Sequence, residues 1–301
     1  MINVPVLLIA YNRPDTARQV LERIREACPS RFYFAVDGPK DAVGGGKISE
    51  TREIVKLVDW PCEVHTLFRQ ENRGCGFGPA EAITWAFENE DRLVVLEDDC
   101  VPSVSFFNFC EQMLDKYADD ERVSIISGRS HHEQADCFEG QDYIFSHYAH
   151  TWGWATWKRV WRDFDIYMRD FPQWISWGGA NNIFNSTKEA KFYNKWFSDI
   201  YRNIDQEVSH SWDAQWMYAF LKNGALGIVP CYNLIHCIGV GNGTHNGTEP
   251  LTATKEMPRE LRHPQFVVPN ANYELLHYLN HINSNSAIIK QIINKAGRLF
   301  K

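Results

Sequence analysis

Arg92-Leu93-Val94-Val95-Leu96-Glu97-Asp98-Asp99 is the stretch on which the reading of this chain turns. Its apolar run is continuous instead of alternating, the pattern of a central strand covered on both faces, and three carboxylates begin where the strand stops. Such a strand places its acids at the carboxyl edge of a sheet, where open α/β sheets bind their ligands. Clustered acids there point to a hard divalent cation, and a cation points to phosphate. The plain structural alternative is a solvated turn leading into a helix, since Cys100-Val101-Pro102-Ser103 follows. Against it stands the mutual repulsion of three unrelieved carboxylates.

Working outward, strand-like runs at residues 4–10, 31–36 and 63–68 precede this one, and helical patterns separate them. The alternation predicts βαβ units and a mainly parallel sheet. Ala17, Val20, Leu21, Ile24 and Ala27 recur at helix spacing behind Pro14-Asp15, a pairing suited to a helix start. Further helices are expected over residues 79–89 and 105–117, followed by a buried strand at 123–127. After Arg129 the texture changes: His131-His132-Glu133-Gln134 is polar, and six of the chain's eleven tryptophans fall between Trp152 and Trp177. Residues 171–209 are again helical in pattern, with Phe192, Trp196, Phe197 and Ile200 at helix spacing, and a strand restarts at 227–230.

With 301 residues, of which 44% are hydrophobic and 23% charged, the chain is ordinary globular material. Its net charge of -7 and scattered basic residues argue against a nucleic-acid partner. No apolar stretch approaches the roughly 20 residues of a membrane span, and the chain enters a strand without a signal-like preamble, so a cytoplasmic location is expected. Eight cysteines without paired C-x-x-C spacing read as reduced, small core residues. Asn185-Ser186-Thr187, Asn242-Gly243-Thr244 and Asn246-Gly247-Thr248 match the glycosylation sequon, a short pattern common by chance. The basic and isoleucine-rich end, with Lys290, Lys295, Arg298 and Lys301 beside Ile288, Ile289, Ile292 and Ile293, either packs on the domain or makes peripheral contact with an anionic membrane.

Other strand ends repeat the logic of the first. Ile9-Ala10 leads into Tyr11-Asn12-Arg13-Pro14 and a helix start, where Arg13 and free N–H groups can hold a phosphate. The second strand ends in Asp37-Gly38, an acid able to accept from a base or sugar. The third leads to Glu71-Asn72-Arg73-Gly74-Cys75-Gly76-Phe77-Gly78-Pro79, read as a glycine-rich turn that lets backbone approach a ligand. Trp152, Trp154 and Trp157 do not share a helix face, so they serve either as a wall for sugar rings or as core. Residues 239–247 are glycine-dense, a tight ligand loop or a lid carrying His245.

Taken in order, strand-Tyr-Asn-Arg-Pro, strand-Asp-Gly, Glu-Asn-Arg-Gly-x-Gly and Val-Val-Leu-Glu-Asp-Asp resemble the nucleotide-sugar-binding half of a GT-A glycosyltransferase. The nearest resemblance is to the bacterial family 2-like enzymes grouped with N-acetylglucosaminyltransferase I. It covers residues 3–128 and, more loosely, 145–247, where Trp152-Gly153-Trp154-Ala155-Thr156-Trp157 and Trp212-Asp213-Ala214-Gln215-Trp216 also look like that group. The resemblance implies an α/β GT-A fold with a nucleotide-sugar-binding half (1–128), an acceptor-side half of the same domain (129–268) and a C-terminal helical tail (269–301).

It further implies an inverting, metal-dependent transfer of sugar from a nucleoside diphosphate donor, UDP-linked, to a hydroxyl of a glycan or lipid-linked glycan acceptor. Carried over by position, Asp37 would meet the base, Arg13 the diphosphate, Asp98 the ribose and Asp99 a Mn2+ or Mg2+ ion, with Glu97 facing the transferred sugar or acceptor. Ala10, Asn12, Arg73, Gly74 and Trp154 complete the expected donor site, Trp154 being the one tryptophan expected to touch substrate. Asp213 matches the family's base, and its aromatic flanks would desolvate it and raise its proton affinity. The structural alternative for Asp213 is a helix cap after Ser209-His210-Ser211. His245 would be a second metal or diphosphate ligand, with His236, His131 and His132 ranked below it. One departure matters: many relatives carry Asp-x-Asp, whereas Glu97-Asp98-Asp99 leaves a single obvious direct ligand, so metal affinity would rest largely on the diphosphate.

Two rivals remain. A sugar nucleotidyltransferase also uses a sheet-edge acid and a cation, but its first loop usually carries glycines that Tyr11-Asn12-Arg13-Pro14 lacks. A catalytically silent carbohydrate-binding protein would need only the tryptophan-rich half.

Overall fold

A computed structural model describes residues 1–40, 45–133, 135–204, 211–239 and 253–282. The first half alternates β1 (Val6–Ala10), α1 (Pro14–Ala27), β2 (Arg31–Val36), α2 (Gly45–Glu53), β3 (Glu63–Phe68), α3 (Gly74–Ala86) and β4 (Arg92–Glu97). β1, β2 and β4 are apolar on both faces and almost wholly buried. β3 ends the sheet and is correspondingly more exposed. Pro5 has no N–H for the ladder, so β1 begins at Val6 although Val4 is also buried.

There follow β5 (Cys100–Pro102), α4 (Val104–Lys116), β6 (Val123–Ser127), β7 (Tyr143–Ser146), β8 (Trp154–Trp157), α5 (Lys158–Trp161), α6 (Phe171–Ser176), α7 (Thr187–Arg202) and α8 (Asp213–Leu221). β9 (Leu226–Pro230), β10 (Ile235–Cys237) and α9 (Ala271–His277) follow. Among the described residues, eight strands from both halves form one sheet in the order β3-β2-β1-β4-β8-β6-β9-β7, while β5 and β10 make a small antiparallel pair. β1 runs parallel to β2 and β4, and β2 to β3, as expected of βαβ units. Beyond β4 the sheet is mixed, because β8 enters antiparallel between β4 and β6 and β7 runs antiparallel to β9. The result is a mixed α/β fold with a large central sheet.

The order 3-2-1-4 has a physical consequence. The chain leaves β1 toward β2 on one side and returns to β4 on the other, so the loops after β1 and β4 diverge and open a crevice at their carboxyl ends. Register fixes the depth of that crevice, since Ile9 pairs with Glu97 and the residues beyond both strands emerge side by side.

α3 starts at Gly74, five residues before the expected start at Pro79, so the glycine-rich segment is helix for most of its length. The reason lies in β2's end: Asp37 accepts hydrogen bonds from the backbone N–H groups of Arg73 (3.0 Å) and Gly74 (3.1 Å), satisfying donors that a helix start leaves open. Gly74 itself sits at φ +75, where a side chain would be strained.

The tryptophan-rich half is largely core. Trp154 is 1% exposed and packs against Trp212, Trp216 and Trp161 at centroid distances of 5.7, 5.4 and 6.3 Å. Gly153, just before β8, has φ +59, and a Cβ there would run into the Ile235 side chain on β10. Gly153→Ala is therefore expected to lower the midpoint of urea unfolding, by about 1–3 kcal/mol in stability, for combined strain and overpacking. An unchanged midpoint would contradict that account.

Candidate active site

The crevice between the ends of β1 and β4 is a cleft of about 350 Å³. Ala10, Asn12, Arg13, Asp37, Gly74, Glu97, Asp98, Asp99 and Asp213, all singled out from the sequence, line it together. Its centre is an ion-pair bridge. Arg13, from the turn after β1, donates Nη2 to Asp98 Oδ1 and Nη1 to Asp99 Oδ2, the latter at 2.8 Å. The Tyr11 N–H, at 3.4 Å, approaches the other Asp98 oxygen. Residues 86 positions apart meet here because the sheet order places their strands side by side.

Burial sets the protonation of these groups. Asp98 is 2% exposed, and burial pushes its carboxyl up to about 6, with Arg13 pulling the other way. Burial also works against the charge on Arg13, but attraction from Asp98 and Asp99 outweighs it and raises its pKa. Glu97, half-buried at the end of β4, is pushed up to about 8, first by desolvation and then by Asp99, Asp98 and Asp213. At neutral pH Glu97 is therefore mainly a carboxylic acid, able to donate a hydrogen bond.

The loop holding Asp99 is tightly built. The Ile238 N–H donates to the Asp99 carbonyl at 2.9 Å, extending the β5–β10 pair. A Cβ on Gly239 would collide with the Asp99 side chain, so only glycine leaves that carboxylate its place. Gly38 is constrained in the same way: a Cβ there would strike the Glu71 backbone, which lies against the loop carrying Asp37.

On the opposite wall, Asp213 opens α8 and is exposed, with Ser211 Oγ 2.9 Å from its Oδ1. The expected desolvation of Asp213 by its aromatic flanks does not occur. Trp212 and Trp216 turn into the core, while the first turn of α8 points its acid toward solvent. The neighbouring cap position is Trp212, so Asp213 is the first helical residue.

Two expected residues lie elsewhere. Trp154 does not line the cleft, because β8 carries it into the tryptophan cluster; Trp152, two residues earlier and outside the strand, lines the cleft and has the Arg129 guanidinium 4.2 Å from its ring centroid. Arg73 is exposed and held away by Glu81, with Nη2 to Oε1 at 2.7 Å. Arg69 lines the cleft in its stead. His245 falls outside the described residues, as do the sequons at Asn242 and Asn246 and residues 283–301 of the tail. Tyr11, Lys40, Arg69, Trp152 and Trp212 are cleft residues that sequence reasoning did not select. Adjacency to a strand end was a usable signal for Tyr11, Lys40 and Arg69, and Trp152 belonged to the triplet read as a sugar wall or core; Trp212 carried no signal beyond flanking Asp213.

The donor set fits a hard cation only narrowly. Both carboxylates have a donor on each oxygen, Asp98 from Arg13 and the Tyr11 N–H, Asp99 from Arg13 and, at 3.6 Å, Cys100 Sγ; Asp99 is the more open of the two, its side chain 18% exposed against 3%, and so is the better placed to meet an ion. That matches Mg2+-like ions, which take one or two carboxylates plus substrate phosphates.

No family model matches the chain, and no curated protein matches it. Solved structures give distant likenesses. One is the mannosyltransferase PcManGT from Pyrobaculum calidifontis in complex with GDP-Man and Mn2+, at 15% identity and TM-score 0.40, covering 53% of this chain and 46% of that one. Another is UDP-glucose pyrophosphorylase complexed with UDP-glucose, at 11% identity and TM-score 0.30, covering 54% and 79%. A third is HddC from Yersinia pseudotuberculosis, at 10% identity and TM-score 0.35, covering 54% and 80%. The chain thus spans less than half of the mannosyltransferase, and likenesses this distant carry no argument about activity. Among the described residues no helix is long and apolar enough to cross a membrane.

Glu97 makes a testable contribution to stability. Its carboxyl stays protonated in the folded chain up to about pH 8, whereas the unfolded chain ionises it near 4.5. The folded state holds the extra proton across that window, so stability contributed by this group is full at low pH and lost as pH rises toward 8. Denaturant unfolding of Glu97→Gln at pH 8 is expected to exceed wild type by on the order of 1–3 kcal/mol, with the difference shrinking toward pH 5. A difference independent of pH would contradict the assignment.

Proposed function

We propose that the chain is an inverting glycosyltransferase of GT-A architecture that takes a nucleoside diphosphate sugar, UDP-linked, and glycosylates a hydroxyl of a glycan or lipid-linked glycan. The observation that carries this reading is the meeting of Arg13 with Asp98 and Asp99 at the β1/β4 crevice, in one cleft with Glu97 and Asp213. A cation beside buried acids suits a ligand that brings both phosphate and polar hydroxyls.

Asp37, whose oxygens accept from the Gly38, Arg73 and Gly74 N–H groups, lines the cleft, and there it would meet the N–H of a base. Arg13 has donors left for the diphosphate, and Asp98 lone pairs left for the ribose. Asp99 would hold a Mn2+ or Mg2+ ion, which when bound would neutralise charge on the diphosphate. Trp152 replaces Trp154 as the aromatic surface offered to substrate.

The two remaining acids divide the chemistry. Protonated Glu97 hydrogen-bonds a sugar hydroxyl, and Asp213 accepts the proton of the acceptor hydroxyl. The acceptor oxygen then bonds to the anomeric carbon as the bond to the diphosphate oxygen breaks on the opposite face. Separation of two carboxylates into acid and base by environment is a recurrent device.

Calorimetric titration with UDP-sugars is expected to show binding that EDTA and Asp99→Ala both weaken. Asp213→Asn should keep donor binding and lose about a hundredfold or more in transfer rate. Equal loss of binding and transfer would make Asp213 a structural residue. Formation of a nucleoside triphosphate from UDP-sugar and pyrophosphate would assign the cleft to nucleotidyl transfer, and glycan binding indifferent to UDP would assign a silent carbohydrate-binding role.

A further inference from the structure

Away from the cleft acids, five imidazoles converge. His131 and His132 follow β6, His150 precedes β8, His277 ends α9, and His281 lies in the π-helical turn Tyr278–Ile282 beyond it. Ring centroids stand 4.0 Å apart for His131–His150, 4.5 Å for His277–His281, 5.7 Å for His132–His281 and 5.9 Å for His132–His277. One ring nitrogen from each of His132, His277 and His281 lies within 4.8 Å of the other two. A tetrahedral ion with bonds of about 2.0–2.1 Å needs its ligands about 3.4 Å apart, a closure within reach of small side-chain rotations.

A second observation points to a ligand. His132 Nε2, His150 Nε2 and His277 Nδ1 are buried without a hydrogen-bond partner among the described residues, and His277 is only 5% exposed. Buried polar nitrogens normally have partners, and three orphans in one cluster call for an explanation. π-helical turns inside helices recur at functional sites.

The scaffold is anchored before it reaches the cluster. Asn270 caps α9 by accepting from the Tyr273 N–H at 2.9 Å and donates to the Cys137 carbonyl at 2.7 Å. Glu274 accepts from the His147 N–H at 2.8 Å. His131 accepts from Arg129 Nε at 3.2 Å, and Arg129 covers Trp152 on the cleft wall.

We propose that His132, His277 and His281 form a binding site for a Zn2+-like transition-metal ion that fastens α9 and the π-helical turn after it to the loop after β6. An all-nitrogen site prefers such an ion to Mg2+ or Mn2+, which suit the oxygen donors of the cleft. The two sites are thus separable by metal type.

The test is calorimetric titration of the chelator-stripped protein with Zn2+ in excess Mg2+, a competitor for the oxygen donors of the cleft. The site predicts one tight equivalent, a rise in melting temperature on loading, and a Co2+ derivative with the visible absorption of a four-coordinate ion. His281→Asn, at an exposed position, and His132→Asn should each weaken Zn2+ binding about tenfold or more without changing the melting temperature of the metal-free protein. Absence of stoichiometric binding, binding indifferent to both substitutions, or binding removed by Asp99→Ala would overturn the proposal while leaving the reading of the cleft intact.

Discussion

The bridge from Arg13 to Asp98 and Asp99 is the contact on which the cleft depends. Taking a guanidinium and an almost fully buried carboxylate out of water is costly, and attraction between them offsets the cost without a clear surplus. Such a pair is weak evidence for stability. Its position at the divergence of the β1 and β4 loops, with Glu97 forced to hold its proton beside it, is better explained by a ligand that will share the charges.

The surroundings keep that arrangement rigid. Gly239 and Ile238 press the Asp99 loop from the β10 side, Gly38 lets the Asp37 loop close on Glu71, and Asp37 in turn starts α3. The tryptophan cluster beneath Trp154 backs the opposite wall, so α8 can present Asp213 from a packed base. A site assembled from the ends of four elements gains precision because each end is fixed by backbone contacts independent of the ligand.

Much of this was legible from residues alone. Strands buried on both faces write themselves as largely apolar runs, and the bounds of β2, β4 and β6 follow from that pattern, whereas the exposed edge strand β3 shows it only in part. α1 was equally readable, with its proline start and apolar face. α3 was not, because its first turn is stabilised by Asp37, thirty-six residues before Arg73 and invisible to local pattern. The mixed half of the sheet was hidden for a related reason: β8 spans only Trp154–Trp157, too short to announce its partners. The same brevity misled the choice between Trp152 and Trp154, since two residues of spacing cannot say which ring precedes the strand and which lies within it. The histidine cluster joins His131 and His132 to residues near the far end of the chain, so only the fold brings them together.

The most direct measurement of the central claim is a crystal structure of the chain with UDP and Mn2+. The account predicts the diphosphate against Arg13, with an ion on Asp99 and the base beside Asp37. Nucleotide bound away from the β1/β4 crevice, or Asp99 turned from the diphosphate with no ion beside it, would contradict it.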